Sequence, residues 1–216
     1  MKHTPLTDEL AAYMDRCRTH FDEQVLQDLR RETQRFSDDA IMEIGNDLGG
    51  LLTILTKLIS ARRAIEIGTF TGHSSICIAR GLTSDGQLFC FDTSQEWTAV
   101  ARKYWARAGL DHKITLTIGN AVDHVETIAG EGPFDLAFID ADKSLYGEYF
   151  NCVLPLMRSG GLMLFDNMFR GGRVLDATVD AGTAAIRDLN RVLCEDSRVE
   201  TVLVSIGDGI QVTRKI

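Results

Sequence analysis

From residue 63 onward the chain alternates short apolar runs with amphipathic stretches, and this rhythm constrains the fold more than any other feature. The apolar runs cover residues 64–67, 88–91, 114–118, 136–139 and 162–165. Between them, residues 74–82, 96–108, 122–128 and 145–156 repeat apolar side chains at helical spacing. A strand that is apolar on both faces has to be covered on both, and helices between such strands supply the cover. The pattern predicts a doubly wound α/β sheet, mostly parallel. The end of the chain breaks the rhythm. After a helix over 184–193 come two strand-like runs, 199–204 and 210–213. They are joined by Ser205-Ile206-Gly207-Asp208-Gly209, which has turn chemistry. An antiparallel hairpin is expected to finish the sheet.

Residues 1–60 carry no strand signal. Leu10, Tyr13, Met14 and Cys17 repeat at helical spacing, as do Phe21, Val25, Leu26 and Leu29, and a third apolar segment covers 48–59. The reading is one domain over 1–216, with a helical cover or interface over 1–60 and an α/β core over 61–216. A formal net charge of -8 opposes binding to a phosphate backbone, so nucleic acid is not expected as a partner. No apolar run reaches the roughly 18 residues of a membrane span. The first residues lack the apolar stretch of a secretory signal. The five cysteines are odd in number, scattered, and never spaced C-x-x-C, which predicts reduced thiols and a cytoplasmic location.

The chemistry gathers where strands end. The first strand runs into Glu66-Ile67-Gly68-Thr69-Phe70-Thr71-Gly72-His73-Ser74. In an open parallel sheet, ligands bind beyond the carboxyl ends of the strands, and a glycine there lets backbone approach a ligand. Ser74 is placed to open the next helix. The glycines are spaced G-x-x-x-G rather than G-x-G-x-x-G, so a dinucleotide is not the natural ligand. Asp92 ends the second strand, where a carboxylate holds ribose hydroxyls in nucleotide-binding folds; capping the helix near Ser94 is the alternative. Asp140 ends the fourth strand, and Asp166 and Asn167 end the fifth. If those strands are neighbours, their tips lie about 5 Å apart and three hard oxygen donors converge. Such a set suits Mg²⁺, or another divalent cation such as Mn²⁺ or Ca²⁺. Lys143, three residues on, is a candidate general base beside such a cation. Helix capping by the carboxylates and a solvated lysine is the alternative. Neither a G-x-S-x-G elbow nor a P-loop occurs.

Taken in order, these motifs resemble the cation-dependent, S-adenosylmethionine-dependent O-methyltransferases, and in particular the branch of bacterial catechol-methylating enzymes. The resemblance runs from Thr7-Asp8-Glu9-Leu10 through Glu66–Ser75, 104–110 and 134–143 to Asp166-Asn167 and Gly207-Asp208-Gly209. It implies a seven-stranded sheet with a reversed last strand. It implies that the segment from Glu66 through Gly68, Thr69 and Phe70 to Ser74 wraps the methionine part of S-adenosylmethionine. Asp92, with Thr93 beside it, would hold the ribose. Ala121 and Asp142 would lie by the adenosyl group, Asp140 at its edge, and Ile44 would reach in from the N-terminal segment. Asp140, Asp166 and Asn167 match the family's metal ligands, and Lys143 matches its catalytic lysine. The implied reaction is methyl transfer to one hydroxyl of a catechol, with Lys143 taking the proton. A homodimer is implied too.

Two departures from the family pattern stand out. The usual M-x-I-x-P-E-Q-G-Q reads Met42-Glu43-Ile44-Gly45-Asn46-Asp47-Leu48-Gly49-Gly50 here. The usual D-N-x-L-W-x-G reads Asp166-Asn167-Met168-Phe169-Arg170-Gly171-Gly172, with Arg170 in place of tryptophan. An arginine there points to an acceptor that carries an anion, or else faces solvent. A methyltransferase with a non-catechol acceptor and a non-catalytic binding protein are the competing readings.

Overall fold

The computed structural model describes residues 4–19 and 23–216. Phe21, read above as part of a helical stripe, lies outside the described residues. The N-terminal part contains α1 (Asp8–Arg16), α2 (Glu23–Thr33), a 3₁₀ segment (Gln34–Met42) and α3 (Asn46–Leu58). The Thr7 hydroxyl caps α1, accepting from the Leu10 amide at 3.2 Å. Leu26 and Leu29 of α2 join Leu48 and Leu52 of α3 in a core that also contains Tyr104 and Trp105. Tyr104 donates its hydroxyl to the Asp28 carbonyl and the Glu32 carboxylate, both at 2.9 Å. Those bonds tie the N-terminal helices to the rest of the domain.

The sheet contains β1 (Arg63–Ile67), β2 (Gln87–Asp92), β3 (Ile114–Ile118), β4 (Phe134–Ile139), β5 (Met157–Phe165), β6 (Val199–Val204) and β7 (Ile210–Lys215). Their spatial order is β3-β2-β1-β4-β5-β7-β6. The first five pair in parallel, and β7 runs antiparallel to both β5 and β6. The order reverses between β1 and β4, and a crevice opens at such a switch point. Helices α4 (His73–Gly81), α5 (Gln95–Arg107), α6 (Ala121–His124), α7 (Tyr146–Val153) and α8 (Ala181–Glu195) complete the core. Side chains alternate along β1 between two cores. Ile65 and Ile67 join Phe165, Phe150 and Ile186, whereas Ala64 joins Leu88, Ile76 and Leu52.

The structure departs from the expected elements in three places. The helix expected over 122–128 stops at His124 and continues as a 3₁₀ segment (Val125–Glu131). The one expected over 145–156 is α-helical only over Tyr146–Val153, because Pro155 has no N–H to extend the ladder. Strand β5 starts at Met157, five residues before the expected start at 162. Arg158-Ser159-Gly160-Gly161 has turn chemistry, yet the strand absorbs it through a register irregularity opposite Phe134 and Leu136. Among the described residues no helix is long and apolar enough to cross a membrane. All five cysteines are free thiols.

Candidate active site

A cavity of about 940 Å³ opens at the carboxyl ends of β1, β2, β4 and β5. Residues 41–45, 47 and 48, from the end of the 3₁₀ segment into the first turn of α3, form another part of its wall. The turn after β1 is built by backbone constraints. Gly68 has φ +91°, and a Cβ built there would run into the Asp140 carbonyl oxygen. Gly72 caps α4 with φ +91°, and a Cβ there would meet Ala101 and the Trp105 ring nitrogen at 2.8 Å. The cap is therefore Gly72, and Ser74 sits inside the first turn rather than opening the helix. Phe70 itself has φ +49°. Its ring meets Trp97 edge-on at 5.1 Å.

Asp92 holds that turn in place. One carboxylate oxygen accepts from the amides of Thr69 and Phe70 at 2.9 and 2.8 Å, and the other accepts from the Ser94 amide at 2.8 Å. Ser94, not Asp92, caps α5. On the neighbouring edge, Asn120 caps α6 and presents Ala121 to the cavity. These features make a cradle of close backbone, one anchored carboxylate and two aromatic rings. A nucleoside with hydroxyls to bind and a flat base fits it.

The second half of the site lies at β4 and β5, which are neighbours as the convergence argument required. The Lys143 ammonium donates to Asp140 at 2.6 Å and lies 5.2 Å from the centre of the Tyr146 ring. Tyr146 is fully buried and donates to the Ile139 and Asp166 carbonyls at 3.2 and 3.1 Å. Asp166 is 5 % exposed, and its carboxylate accepts from the Asn167 amide at 2.6 Å. Burial and then the neighbouring Asp140 charge push the Asp166 carboxyl well above the ordinary range. Asn167 turns the chain with φ +59°. Asp140, Asp166 and Asn167 line one wall of the cavity, with the two carboxylates close enough for their charges to interact, and carboxylate and carboxamide oxygens are the donors that a hard divalent cation takes.

Ile44, Gly68, Thr69, Phe70, Ser74, Asp92, Thr93, Ala121, Asp140, Asp142, Lys143, Asp166, Asn167 and Arg170 all line this one cavity. Glu66 stands directly behind this wall, with its Oε1 buried and without a hydrogen-bond partner. It is fully buried and is not among the lining residues. Strand alternation places it with Ala64 on the face covered by α3 and α4, where it accepts from Ser75 at 2.5 Å and Cys90 at 3.2 Å. Burial pushes its carboxyl up to about 7, against the lowering effect of Ser75, Ser74, Cys90 and Thr69.

Three lining features had no assigned role in the sequence, although His73 lies in the turn read above as a ligand loop. His73 is 3 % exposed and bonds through Nδ1 to Glu43 at 2.8 Å. Burial lowers the His73 pKa, but contacts with Cys77 and Glu43 outweigh it and raise it to about 9. Tyr149 also lines the cavity, as does Asp208, whose carboxylate accepts from the Gly171 amide at 2.7 Å. The Gly207-Asp208-Gly209 sequence was legible as a turn but not as cavity wall.

Comparison with known proteins agrees with this geometry. Residues 16–216 match the family described as O-methyltransferase. A probable caffeoyl-CoA O-methyltransferase of Dictyostelium discoideum is 36% identical over 200 residues, covering 88% of this chain and 87% of the relative. A catechol O-methyltransferase of Niastella koreensis is 35% identical over 190 residues, covering 80% and 86%. Among solved structures, TomG of Streptomyces achromogenes is an O-methyltransferase of tomaymycin synthesis in complex with S-adenosylmethionine. It superimposes with a TM-score of 0.88 at 31% identity, covering 96% of each chain. An O-methyltransferase of Bacillus cereus in complex with S-adenosylhomocysteine gives 0.79 at 30% identity, covering 88% of this chain and 91% of that one. A cavity of the required size and chemistry at the switch point, and a match that spans the sheet and both halves of that cavity, place this chain in the O-methyltransferase family.

Proposed function

We propose that this chain moves a methyl group from S-adenosylmethionine to one hydroxyl of a catechol-type small molecule, with a divalent cation, Mg²⁺ in the first instance, held by Asp140, Asp166 and Asn167. One observation carries the reading: a nucleoside-shaped cradle and an oxygen donor set with an adjacent lysine share a single cavity. On this reading the turn from Gly68 to Ser74 and the Asp92 carboxylate orient the cofactor, Ala121 and Asp142 flank its base, and Ile44 closes over it. The cation, when bound, supplies positive charge that favours the ionised form of a hydroxyl. Lys143 would have to give up its proton before the reaction; as the free amine its Nζ would take the hydroxyl proton, and Asp140, 2.6 Å away, would hold the ammonium so regenerated. Buried Tyr146 supports the lysine from below, so its position is fixed before substrate arrives. Holding the two reactants in line supplies much of the rate, and Ile41, Met42, Leu145 and Tyr149 offer the acceptor ring an apolar wall. The same reading carries a homodimer and a cytoplasmic location, the latter supported by five unpaired thiols.

The test is methyl transfer to a catechol panel in Mg²⁺ and in EDTA. Transfer that stops in EDTA and returns with Mg²⁺ is expected. Transfer that ignores EDTA would remove the cation from the mechanism. Cofactor binding without transfer to any catechol would remove the acceptor class.

A further inference from the structure

Resting on that reading, we propose that Arg170 holds a carboxylate on the acceptor, so that the substrate class is a catechol whose ring bears an acid. Arg170 lines the cavity, and its Nε is buried with no hydrogen-bond partner. A buried donor without a partner is costly unless a ligand completes it. The residue is also held in an unfavourable backbone conformation, φ +52°, by a tight turn in which its amide donates to the Asn167 carbonyl at 3.2 Å. That turn carries the guanidinium three residues beyond a proposed cation ligand.

Its surroundings explain why the donor is open. Asp208 is committed to the Gly171 amide. Asp180 caps α8 by accepting from Thr183 and pairs with Arg173 at 3.1 Å. Among the described residues lining the cavity, the other cationic side chains are engaged as well: Lys143 with Asp140 and His73 with Glu43. The remaining charged lining residues are acidic, namely Glu43, Asp47, Asp92, Asp140, Asp142, Asp166 and Asp208. An anion on the acceptor is therefore repelled from most of the wall and attracted to one place. An Asp180 carboxylate oxygen, the Lys143 Cβ and Arg170 Nη2 all lie within 4.0 Å of the point where a Gly182 Cβ would be, so the guanidinium sits beside the stem of Lys143, with Asp180, already bonded to Thr183 and Arg173, at one end of it. A guanidinium fork matches the planar two-oxygen geometry of a carboxylate.

The experiment is calorimetric binding of 3,4-dihydroxybenzoate and of its methyl ester to the chain loaded with S-adenosylhomocysteine and Mg²⁺, with methyl transfer to each compound followed in parallel. The two compounds share the diol and differ in the charge. The wild-type chain should bind the acid about 10- to 100-fold tighter than the ester, as a charge-assisted pair warrants. The contrast should collapse in Arg170→Met and survive in part in Arg170→Lys. Equal affinities in the wild-type chain overturn the proposal, as does a contrast that persists in Arg170→Met. Transfer to both compounds without contrast overturns the role of Arg170 and keeps the reaction. Contrast without transfer overturns the reaction and keeps the role of Arg170. Failure to bind either compound overturns both.

Discussion

Glu43→Gln should destabilise the protein at pH 6 and leave it almost unchanged at pH 10, because the buried partner of Glu43 carries its charge only below about pH 9. His73 is raised to about 9 in the fold, against 6.5 in an open chain. The folded state therefore takes up a proton as pH falls through 9, and the stabilisation is complete below 6.5 and lost as pH rises through 9. The shift of about 2.5 units is worth about 3 kcal/mol at 1.36 kcal/mol per unit. Cys77 and Glu43 share it, with Cys77 the larger contributor. Removing the carboxylate charge should then cost about 1–2 kcal/mol at low pH, or roughly 2–8 °C in melting temperature for a chain of this size. Glu43 also lies 3.4 Å from the Arg30 guanidinium, which donates to the Ile44 carbonyl at the same distance. The substitution loosens the segment that carries Ile44, and weaker cofactor binding should accompany the loss of stability. Urea unfolding of both proteins between about pH 6 and pH 10 decides the matter. A stability difference that stays flat across that range, or grows with pH, would refute the charge pairing.

Three further outcomes are expected. Glu66→Gln should stabilise the protein at pH 8 by up to about 3 kcal/mol, because a carboxyl held at about 7 by burial costs stability as pH rises from 4.5 through 7 and an amide does not; urea midpoints should converge below pH 4.5, and a variant less stable than wild type at pH 8 would contradict this. Calorimetry with S-adenosylmethionine on the same variant separates a framework role from a ligand role, since an unlined, buried residue should leave the affinity within about twofold. Gly68→Ala should lower stability by at least about 2 kcal/mol and abolish cofactor binding, whereas Gly50→Ala, where a Cβ meets nothing, should be neutral or stabilising. Lys143→Met should lower kcat by about 10²- to 10⁴-fold while the cofactor still binds, and turnover above about a tenth of wild type would remove Lys143 from proton transfer.

The α/β core was legible because its strands are apolar on both faces and its helices are not, a contrast that a parallel sheet enforces along the whole chain. Strand tips were legible for the same reason: Asp92, Asp140 and Asp166 are the first charges after apolar runs, and a doubly wound sheet points such residues at one crevice. What stayed hidden needed a third dimension. Glu66 reads as a site residue through the resemblance of the segment it opens; strand alternation turns its side chain toward α4, where Ser75 and Cys90 bond to it, and that orientation is a fact of pleat rather than of residue type. The first residues of β5 were hidden because Arg158-Ser159-Gly160-Gly161 reads as a turn, and only the pairing of Met157 with Phe134 on β4, across a register shift, makes them part of the strand. The 3₁₀ segment Gln34–Met42 has no periodic pattern to announce it, yet it delivers Ile41 and Met42 to the cavity.

The departures from the family pattern lie together in the structure, although they lie far apart in the sequence. Asp47 and Leu48 of the altered N-terminal segment line the same cavity as Arg170. Beside them Glu43, at a position the family pattern leaves open, reaches across to His73, thirty residues on, in the turn after β1. A carboxylate buried beside an apolar helix would be a liability without that imidazolium, and an imidazolium there would be a liability without the carboxylate, so each makes sense only with the other. Arg170 shows the same logic with one partner missing. Its guanidinium is placed in the cavity, its Nε is buried, and the carboxylates near it are already engaged. In the first case the chain supplies the counter-charge itself and gains a fixed wall around the cofactor. In the second the carboxylate nearby, Asp180, is shared with Thr183 and Arg173, so the buried Nε is left without an acceptor of its own, and on the proposed reading the substrate's acid completes it.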